Sequence, residues 1–287
     1  MEKEALENYR KSQSISDSVL LFAQQMVRPE IPILELAEKI ESKIVNLGGK
    51  PAFPVNISIN EVAAHYTPEI EDKTTLKEND LAKIDFGVQV NGYIWDRAFS
   101  VFVGKKSHPL IKASTKAVEE AIKMIKPGVR IFEISEVIEE TLSSTGFKPI
   151  KNLCGHGLDR YTQHAHPSIP NGKNNIQDEI KPGKALAVEV FTTDGYGAVK
   201  ESTPTLIYRF IQDRPVRLFE ARKILEISKR DFEGLPFAKR WISKIATGTK
   251  LDMALRQLVE TGALEEYPVL KEEGNGLVAQ TEETILT

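Results

Sequence analysis

The order in which helical and strand-like patterns recur along the chain limits its possible folds more than any other feature. Residues 1–48 show the apolar spacing of two helices, and alternating segments at 54–59 and 81–103 follow them. The same order then returns, with helical periodicity at 110–125 and 131–142 and strand-like segments around His156 and at 184–191. Two such repeats predict two structurally related halves of one α+β domain.

Residues 206–269 interrupt this order. Apolar residues recur there at helical spacing in three stretches, at 223–227, 237–245 and 253–259. We therefore predict an inserted helical subdomain at 206–269, with residues 1–205 and 270–287 forming the main domain. Residues 206–270 hold 12 Lys or Arg against 9 Asp or Glu, a net charge of +3, and solvated helix faces are the ordinary explanation of such an excess.

The composition excludes several classes of protein. Among 287 residues, 38 Lys or Arg and 41 Asp or Glu leave a formal net charge of −3, whereas a dedicated DNA-binding or membrane-surface protein would be basic. No apolar run approaches the ~18 residues of a membrane span, and the charged N-terminus lacks the apolar core of a signal peptide. A single cysteine, Cys154, cannot form an internal disulfide, which suits a reducing compartment. We expect a soluble, cytoplasmic protein with no DNA or membrane partner.

Two aspartates lie on the two strands of a predicted β-hairpin. Asn91-Gly92 separates two alternating segments, and Asn-Gly favours a type I′ turn, which needs positive φ at both central residues. With a two-residue loop, Asp85 lies opposite Ala98, and Asp96 projects from the same face two residues away. The two carboxylates can then converge on one or two cations. The alternative is that both are solvated on an exposed face.

Further carboxylates lie in strand-like segments. Glu189 stands inside an apolar run that is typical of a strand buried on both faces, where a carboxylate needs a cation, a partner or water. An edge strand is the alternative explanation. Glu282 and Glu283 are neighbours near the C-terminus, so alternation sends them to opposite faces and at most one can join the aspartates. The pattern alone does not choose between them.

The histidines are concentrated. His156 stands between two glycines, which would let the backbone approach a ligand or metal closely; His164 and His166 follow it, and His65 precedes Tyr-Thr-Pro. Carboxylates with one imidazole favour Mn²⁺, Fe²⁺, Co²⁺ or Zn²⁺, and the absence of a CxxC pair argues against structural zinc. Single histidines are most often structural or surface groups, and a thiol nucleophile at Cys154 would lack an orienting partner.

As a set, these residues resemble the five metal ligands of methionine aminopeptidases. The set comprises Asp85, Asp96, His156, Glu189 and Glu282. The resemblance covers essentially the whole chain. His65 in Ala-Ala-His-Tyr-Thr-Pro and the long insert are similar to the type II branch, and a chain that starts almost directly at the catalytic domain is similar to archaeal members. The resemblance implies the pita-bread (creatinase/aminopeptidase) fold, with pseudo-twofold halves around a central site.

The resemblance also implies a metal set. Two divalent cations, of Co, Mn, Fe or Zn, would be bridged by Asp96 and Glu282, while Asp85 completes one cation and His156 and Glu189 the other. Glu282 is thereby selected over its neighbour, where the family usually carries His. The cations would share a water and lower its pKa towards ~7.

Roles for the remaining residues follow from the resemblance. Glu189 would take the proton of the attacking water, His164 would hydrogen-bond the scissile carbonyl, and His65 would contact the scissile amide nitrogen or the following residue. Phe53 and Phe191 match positions that line the methionine pocket. Gln163 stands where relatives tend to carry an apolar pocket residue. The implied function is removal of the initiator methionine from nascent proteins and peptides, with small second residues preferred, by a monomer.

Two other functions are compatible with the same fold. X-Pro-cleaving dimetal peptidases carry an additional N-terminal domain and lack the helical insert. Non-catalytic pita-bread proteins that bind ribosomes or RNA lose several ligands, whereas all five positions are kept here. A transient ribosome contact by the enzyme itself rests only on the net positive charge of residues 206–270.

Overall fold

The computed structural model describes residues 1–287 as six α-helices, one 3₁₀ helix and thirteen strands. The α-helices are α1 (Lys3–Met26), α2 (Ile33–Asn46), α3 (Pro109–Met124), α4 (Ile131–Ser144), α5 (Phe219–Arg230) and α6 (Gly248–Glu260). The strands are β1 (Lys50–Pro51), β2 (Asn56–Ile59), β3 (Val62–Ala64), β4 (Leu81–Val90), β5 (Tyr93–Phe102), β6 (Lys148–Pro149), β7 (Cys154–Asp159), β8 (Thr162–Pro170), β9 (Ala185–Thr193), β10 (Val199–Phe210), β11 (Phe237–Ala238), β12 (Leu264–Glu272) and β13 (Val278–Leu286). None of the helices is long and apolar enough to cross a membrane.

A nine-stranded sheet consists of two similar halves. In the first half, β4 pairs with the short strands β1 and β2 and with β5; in the second half, β9 pairs with β6 and β7 and with β13. The halves meet where β13 pairs with β5. The C-terminal strand therefore closes the sheet, and the prediction of two structurally related halves is confirmed.

Each half of the sheet is covered by its own helix pair. In the first, Leu36, Ile40 and Ile44 of α2 are fully buried and pack in one cluster with Ile84 and Phe86 of β4. Burial of such a side chain contributes about 1.5–3 kcal/mol. In the second half, α3 and α4 pack in the same way against β9.

The stretch predicted as a helical insert contains strands as well as helices. Helices α5 and α6 correspond to the first and third helical stripes and pack in one cluster with β10 and β11. The second stripe, 237–245, is wrongly assigned: Phe237–Ala238 pairs with β10, and Lys239–Ile242 is a 3₁₀ helix. A short apolar run does not distinguish strand from helix by periodicity. The boundaries at 205/206 and 269/270 fall within β10 and β12, and the division into domains stays a prediction.

A second sheet, in the order β11-β10-β12-β3, joins this stretch to the first half. Arg240 strengthens the contact: its buried guanidinium donates to Glu41 and to Thr67, and Trp241 donates its indole N–H to the same glutamate over 3.1 Å. These hydrogen bonds attach the stretch that contains Arg240 and Trp241 to helix α2, which carries Glu41.

Candidate active site

The hairpin of β4 and β5 brings the two aspartates together. Asn91 and Gly92 have φ values of 53° and 85°, as a type I′ turn requires, and Asp85 pairs with Ala98 in the predicted register. Asp85 and Asp96 both line one cavity, and Asp96 is 1% exposed. The alternative of two solvated carboxylates on an exposed face is therefore wrong.

Strand β13 adds a third carboxylate. Glu282 pairs with Ala98 of β5 and with Glu189 of β9. Because β9 lies between β13 and β7, Glu189 is on a central strand and not on an edge. Glu283 points to the opposite face, where it accepts a hydrogen bond of 2.5 Å from Arg97.

The glycines beside His156 allow close strand packing. A Cβ on Gly155 would lie 2.5 Å from the carbonyl oxygen of Ala187 in β9, and one on Gly157 would overlap the carbonyl oxygen of His166 in β8. The expectation that these glycines let the backbone approach a metal is thus wrong, because both positions face neighbouring backbone. The two strands instead fix His156, which is 5% exposed, between them.

The five side chains that the sequence singled out converge at this point. Asp96, His156 and Glu282 form one group of potential ligands, and Asp85, Glu189 and Glu282 form another, with the ligand atoms of each group within 4.8 Å of one another. Nε2 of His156 lies 3.8 Å from Oε1 of Glu282 and 4.0 Å from Oδ2 of Asp96. The resemblance placed Glu189 with His156, whereas in this grouping it lies with Asp85.

Burial raises the pKa of all four carboxyl groups. The pKa of Asp85 rises to about 7 through burial. Burial, followed by repulsion among the carboxylates, raises the pKa of Asp96, Glu189 and Glu282 well above the usual range. Only His156 lies within ion-pair distance of any of them, and burial lowers its pKa to about 4, so that it is neutral and offers a lone pair at neutral pH.

The donor set fits divalent cations. Oδ1 of Asp85, Oδ1 of Asp96 and Oε1 of Glu282 are buried without any hydrogen-bond partner, and such atoms call for an ion or water. Four carboxylates and one neutral imidazole are ligands that suit Mn²⁺, Fe²⁺, Co²⁺ and Zn²⁺.

A cavity of about 350 Å³ lies over the cluster, and Phe53, Phe191, His65 and His164 line it. Burial lowers the pKa of His65; burial and the neighbouring His156 and His65 lower that of His164. Both rings are therefore neutral at pH 7. Nδ1 of His65 lies 3.1 Å from the carbonyl oxygen of Pro268, which can only accept, so Nδ1 carries the proton and Nε2 is an acceptor.

Sequence reasoning missed two residues of the site. Gln280 donates to Oε1 of Glu189 over 2.8 Å and to Oδ2 of Asp85 over 3.3 Å; strand alternation from Glu282 could have indicated it. Tyr267 of β12 lines the cavity, with its ring centroid 5.5 Å from that of His65. No local pattern points to Tyr267, because the pairing of distant strands brings it there.

Buried carboxylates and an imidazole beneath a cavity, at the centre of a two-halved α+β fold, define a metal-dependent hydrolase. Residues 7–210 match Metallopeptidase family M24, and the chain belongs to that family. It is similar to the curated methionine aminopeptidase of Pyrococcus abyssi, with 48% identity over 92% of this chain and 90% of that protein.

Two solved structures share the fold. A thermophilic Arx1 matches with a TM-score of 0.87 and 18% identity over 100% of this chain and 89% of its own. Methionine aminopeptidase from Thermotoga maritima matches with a TM-score of 0.72 and 21% identity over 100% of this chain and 94% of its own. At such identities the likeness concerns the fold alone, and the expected pita-bread fold is confirmed.

Proposed function

We propose that this protein is a dimetal aminopeptidase that removes the initiator methionine from nascent proteins and peptides and prefers small second residues. The cavity carries the proposal: it is bounded by apolar side chains, including Phe53 and Phe191, and it ends on five converging potential ligands. An unbranched apolar side chain suits such walls, and the carboxylates would receive the free N-terminal amine. The similarity to archaeal methionine aminopeptidases extends over nearly the whole chain and supports the same activity.

The residues that would hold the cations are Asp85, Asp96, His156, Glu189 and Glu282. When bound, cations of Co, Mn, Fe or Zn would lower the pKa of the attacking water and polarise the scissile carbonyl.

The protein's own groups would complete the chemistry. The Glu189 carboxylate would accept the proton of the attacking water and return it to the leaving amine. Neutral His164 would donate to the scissile carbonyl oxygen as negative charge develops there. His65 would accept the scissile amide N–H at Nε2, since its other nitrogen faces the carbonyl of Pro268.

Peptide hydrolysis with two substrate sets tests the proposal. With Mn²⁺, Co²⁺ or Fe²⁺ we expect release of methionine from Met-Ala and Met-Gly peptides. Glu189→Gln and His65→Ala should lower kcat/KM by about 10²–10⁴-fold while circular dichroism shows an unchanged fold. Preferential cleavage of X-Pro peptides by the metal-loaded protein would contradict the assignment.

A transient ribosome contact is a second proposal. Arg214, Arg217 and Arg222 are exposed and form no ion pair, in contrast to Lys229, which pairs with Asp213. Free guanidinium groups of this kind bind nucleic-acid phosphates in a salt-dependent manner. Replacement of the three arginines by alanine should abolish co-sedimentation with ribosomes at low salt. Co-sedimentation that survives the replacement would remove the basis of the proposal.

The protein would act in the cytoplasm, where nascent chains emerge, and as a monomer. Size-exclusion chromatography with light scattering should give the 32.1 kDa of one chain. A mass of about two chains at micromolar concentration would exclude the monomer.

A further inference from the structure

The buried carboxylates receive hydrogen bonds from only two side chains, and both are carboxamides. Gln280 serves the pair formed by Asp85 and Glu189, and Gln163 donates from Nε2 to Oδ2 of Asp96 over 3.3 Å. A neutral carboxamide orients a carboxylate and leaves its negative charge uncancelled. Lysine or arginine at the same place would cancel that charge. The negative charge therefore remains available for a cation.

Gln163 differs from Gln280 in its place in the fold. Gln280 is 1% exposed within β13, whereas Gln163 is half-buried on β8 and lines the cavity together with the next residue, His164. Consecutive residues of a regular strand point to opposite faces. The pairing of β7 with β8 changes register on either side of Gly157, and an irregularity of this kind re-aims side chains, so both residues reach the cavity.

We propose that Gln163 is a positioning residue for Asp96 and thereby sets the cation affinity of the group formed by Asp96, His156 and Glu282. Its N–H holds Oδ2 of Asp96, the oxygen that lies 4.0 Å from Nε2 of His156, while Oδ1 is buried without a partner. The ring of His156 is held separately, with Nδ1 lying 3.2 Å from the carbonyl oxygen of Gly157, so Asp96 is the ligand through which Gln163 acts. The inference rests on the proposed function, because it requires a cation at this group.

Cation binding by Gln163→Met tests the inference, since methionine has a similar length but no donor. We expect the EDTA-treated variant to bind Mn²⁺ about 10–100-fold more weakly than the wild type in titration calorimetry, and its Co²⁺ complex to show an altered visible absorption spectrum. Ser168→Ala is the matched control: Ser168 lies on the same strand and lines the same cavity, but the carboxylates of the cluster receive their side-chain hydrogen bonds from Gln163 and Gln280 and not from Ser168. Its affinity and spectrum should equal those of the wild type.

The outcomes separate this inference from the proposed function. If the wild type binds neither Mn²⁺ nor Co²⁺, the proposed function fails. If the wild type binds both ions and Gln163→Met matches it in affinity and spectrum, the function stands and the positioning role is overturned. Gln163→Ala also removes the hydrogen-bond donor and adds no bulk. If the methionine variant does not fold, the Mn²⁺ affinity and Co²⁺ spectrum of Gln163→Ala are compared with those of the wild type instead.

Discussion

Two adjacent glutamates illustrate how much the orientation of a single residue decides. Glu282 faces three other buried carboxyl groups, whereas Glu283 accepts hydrogen bonds from Arg97 and from the Trp95 indole over 2.5 and 3.1 Å. Arg97 is 5% exposed, and its second acidic partner is Asp17 at 2.7 Å. Glu283 therefore neutralises the buried guanidinium of Arg97, whereas Glu282 has no lysine or arginine partner.

Alanine at each of these two positions should have opposite consequences. Glu282→Ala is expected to abolish Mn²⁺ binding, and it should not destabilise the EDTA-treated protein because it removes one of several repelling buried carboxylates. Glu283→Ala is expected to retain Mn²⁺ binding but to lower the free energy of unfolding by about 1.5–3 kcal/mol, the value of a hydrogen bond to a charged group.

Calorimetric Mn²⁺ titration and urea denaturation of both variants provide the measurement. Loss of Mn²⁺ binding in Glu283→Ala, with binding kept in Glu282→Ala, would contradict the orientation of β13 that the structure describes.

At the scale of elements, the position of β7 against its neighbouring strands depends on two glycines, Gly155 and Gly157. Gly155→Ala would place a methyl group 2.5 Å from the Ala187 carbonyl oxygen, so β7 must move away from β9 and carry His156 with it. We expect a loss of about 1–3 kcal/mol in stability, as for other overpacked positions, together with weaker Mn²⁺ binding.

Gly172→Ala is the control for this substitution, because the added methyl group would meet side-chain atoms and no backbone, with Lys151 at 3.1 Å and Glu139 at 3.5 Å. Thermal unfolding and Mn²⁺ titration of both variants measure the two effects. If Gly155→Ala and Gly172→Ala have the same stability and the same Mn²⁺ affinity, the close packing of β7 on β9 does not position His156.

The sequence predicts those elements whose geometry is set locally. The Asn91-Gly92 turn determines which residues of β4 and β5 face each other, so the shared face of Asp85 and Asp96 follows from counting. The neighbours of Glu282 could not be obtained in this way, because β13 pairs with strands roughly a hundred or more residues earlier in the chain. Local periodicity also misassigned 237–245, where Phe237–Ala238 pairs with β10 and Lys239–Ile242 forms a 3₁₀ helix.

At the scale of the whole molecule, the potential ligands are divided between the two halves. Asp85 and Asp96 lie on β4 and β5 of the first half, and Glu189 and Glu282 lie on β9 and β13 of the second. The pairing of β5 with β13 joins the halves and forces the four carboxyl groups into one buried volume. A cation at this seam would therefore stabilise the contact between the halves as well as serve catalysis.

This arrangement predicts how the stability of the metal-free protein depends on pH. In the unfolded chain these carboxyl groups lose their protons near pH ~4, whereas in the folded chain the pKa of Asp85 is about 7 and burial raises those of the other three well above their usual range. The folded state consequently binds more protons, so stability falls as pH rises through the folded pKa values. Below pH ~6.5 the histidines oppose this trend, because burial lowers the pKa values of His65, His156 and His164 and the unfolded chain takes up protons there.

The expected result is that the Tm of EDTA-treated protein decreases as pH rises from about 6.5 through about 7, the folded pKa of Asp85. The free energy of unfolding falls there by up to about 1.4 kcal/mol per pH unit for each proton that unfolding releases. Mn²⁺-loaded protein should lack this slope, because the cation keeps the carboxylates ionised in the folded state. Differential scanning calorimetry of both forms across this range measures the difference, which should widen as pH rises. Parallel Tm curves would mean that the four carboxyl groups are not the site of Mn²⁺ binding, since metal would then leave their protonation unchanged.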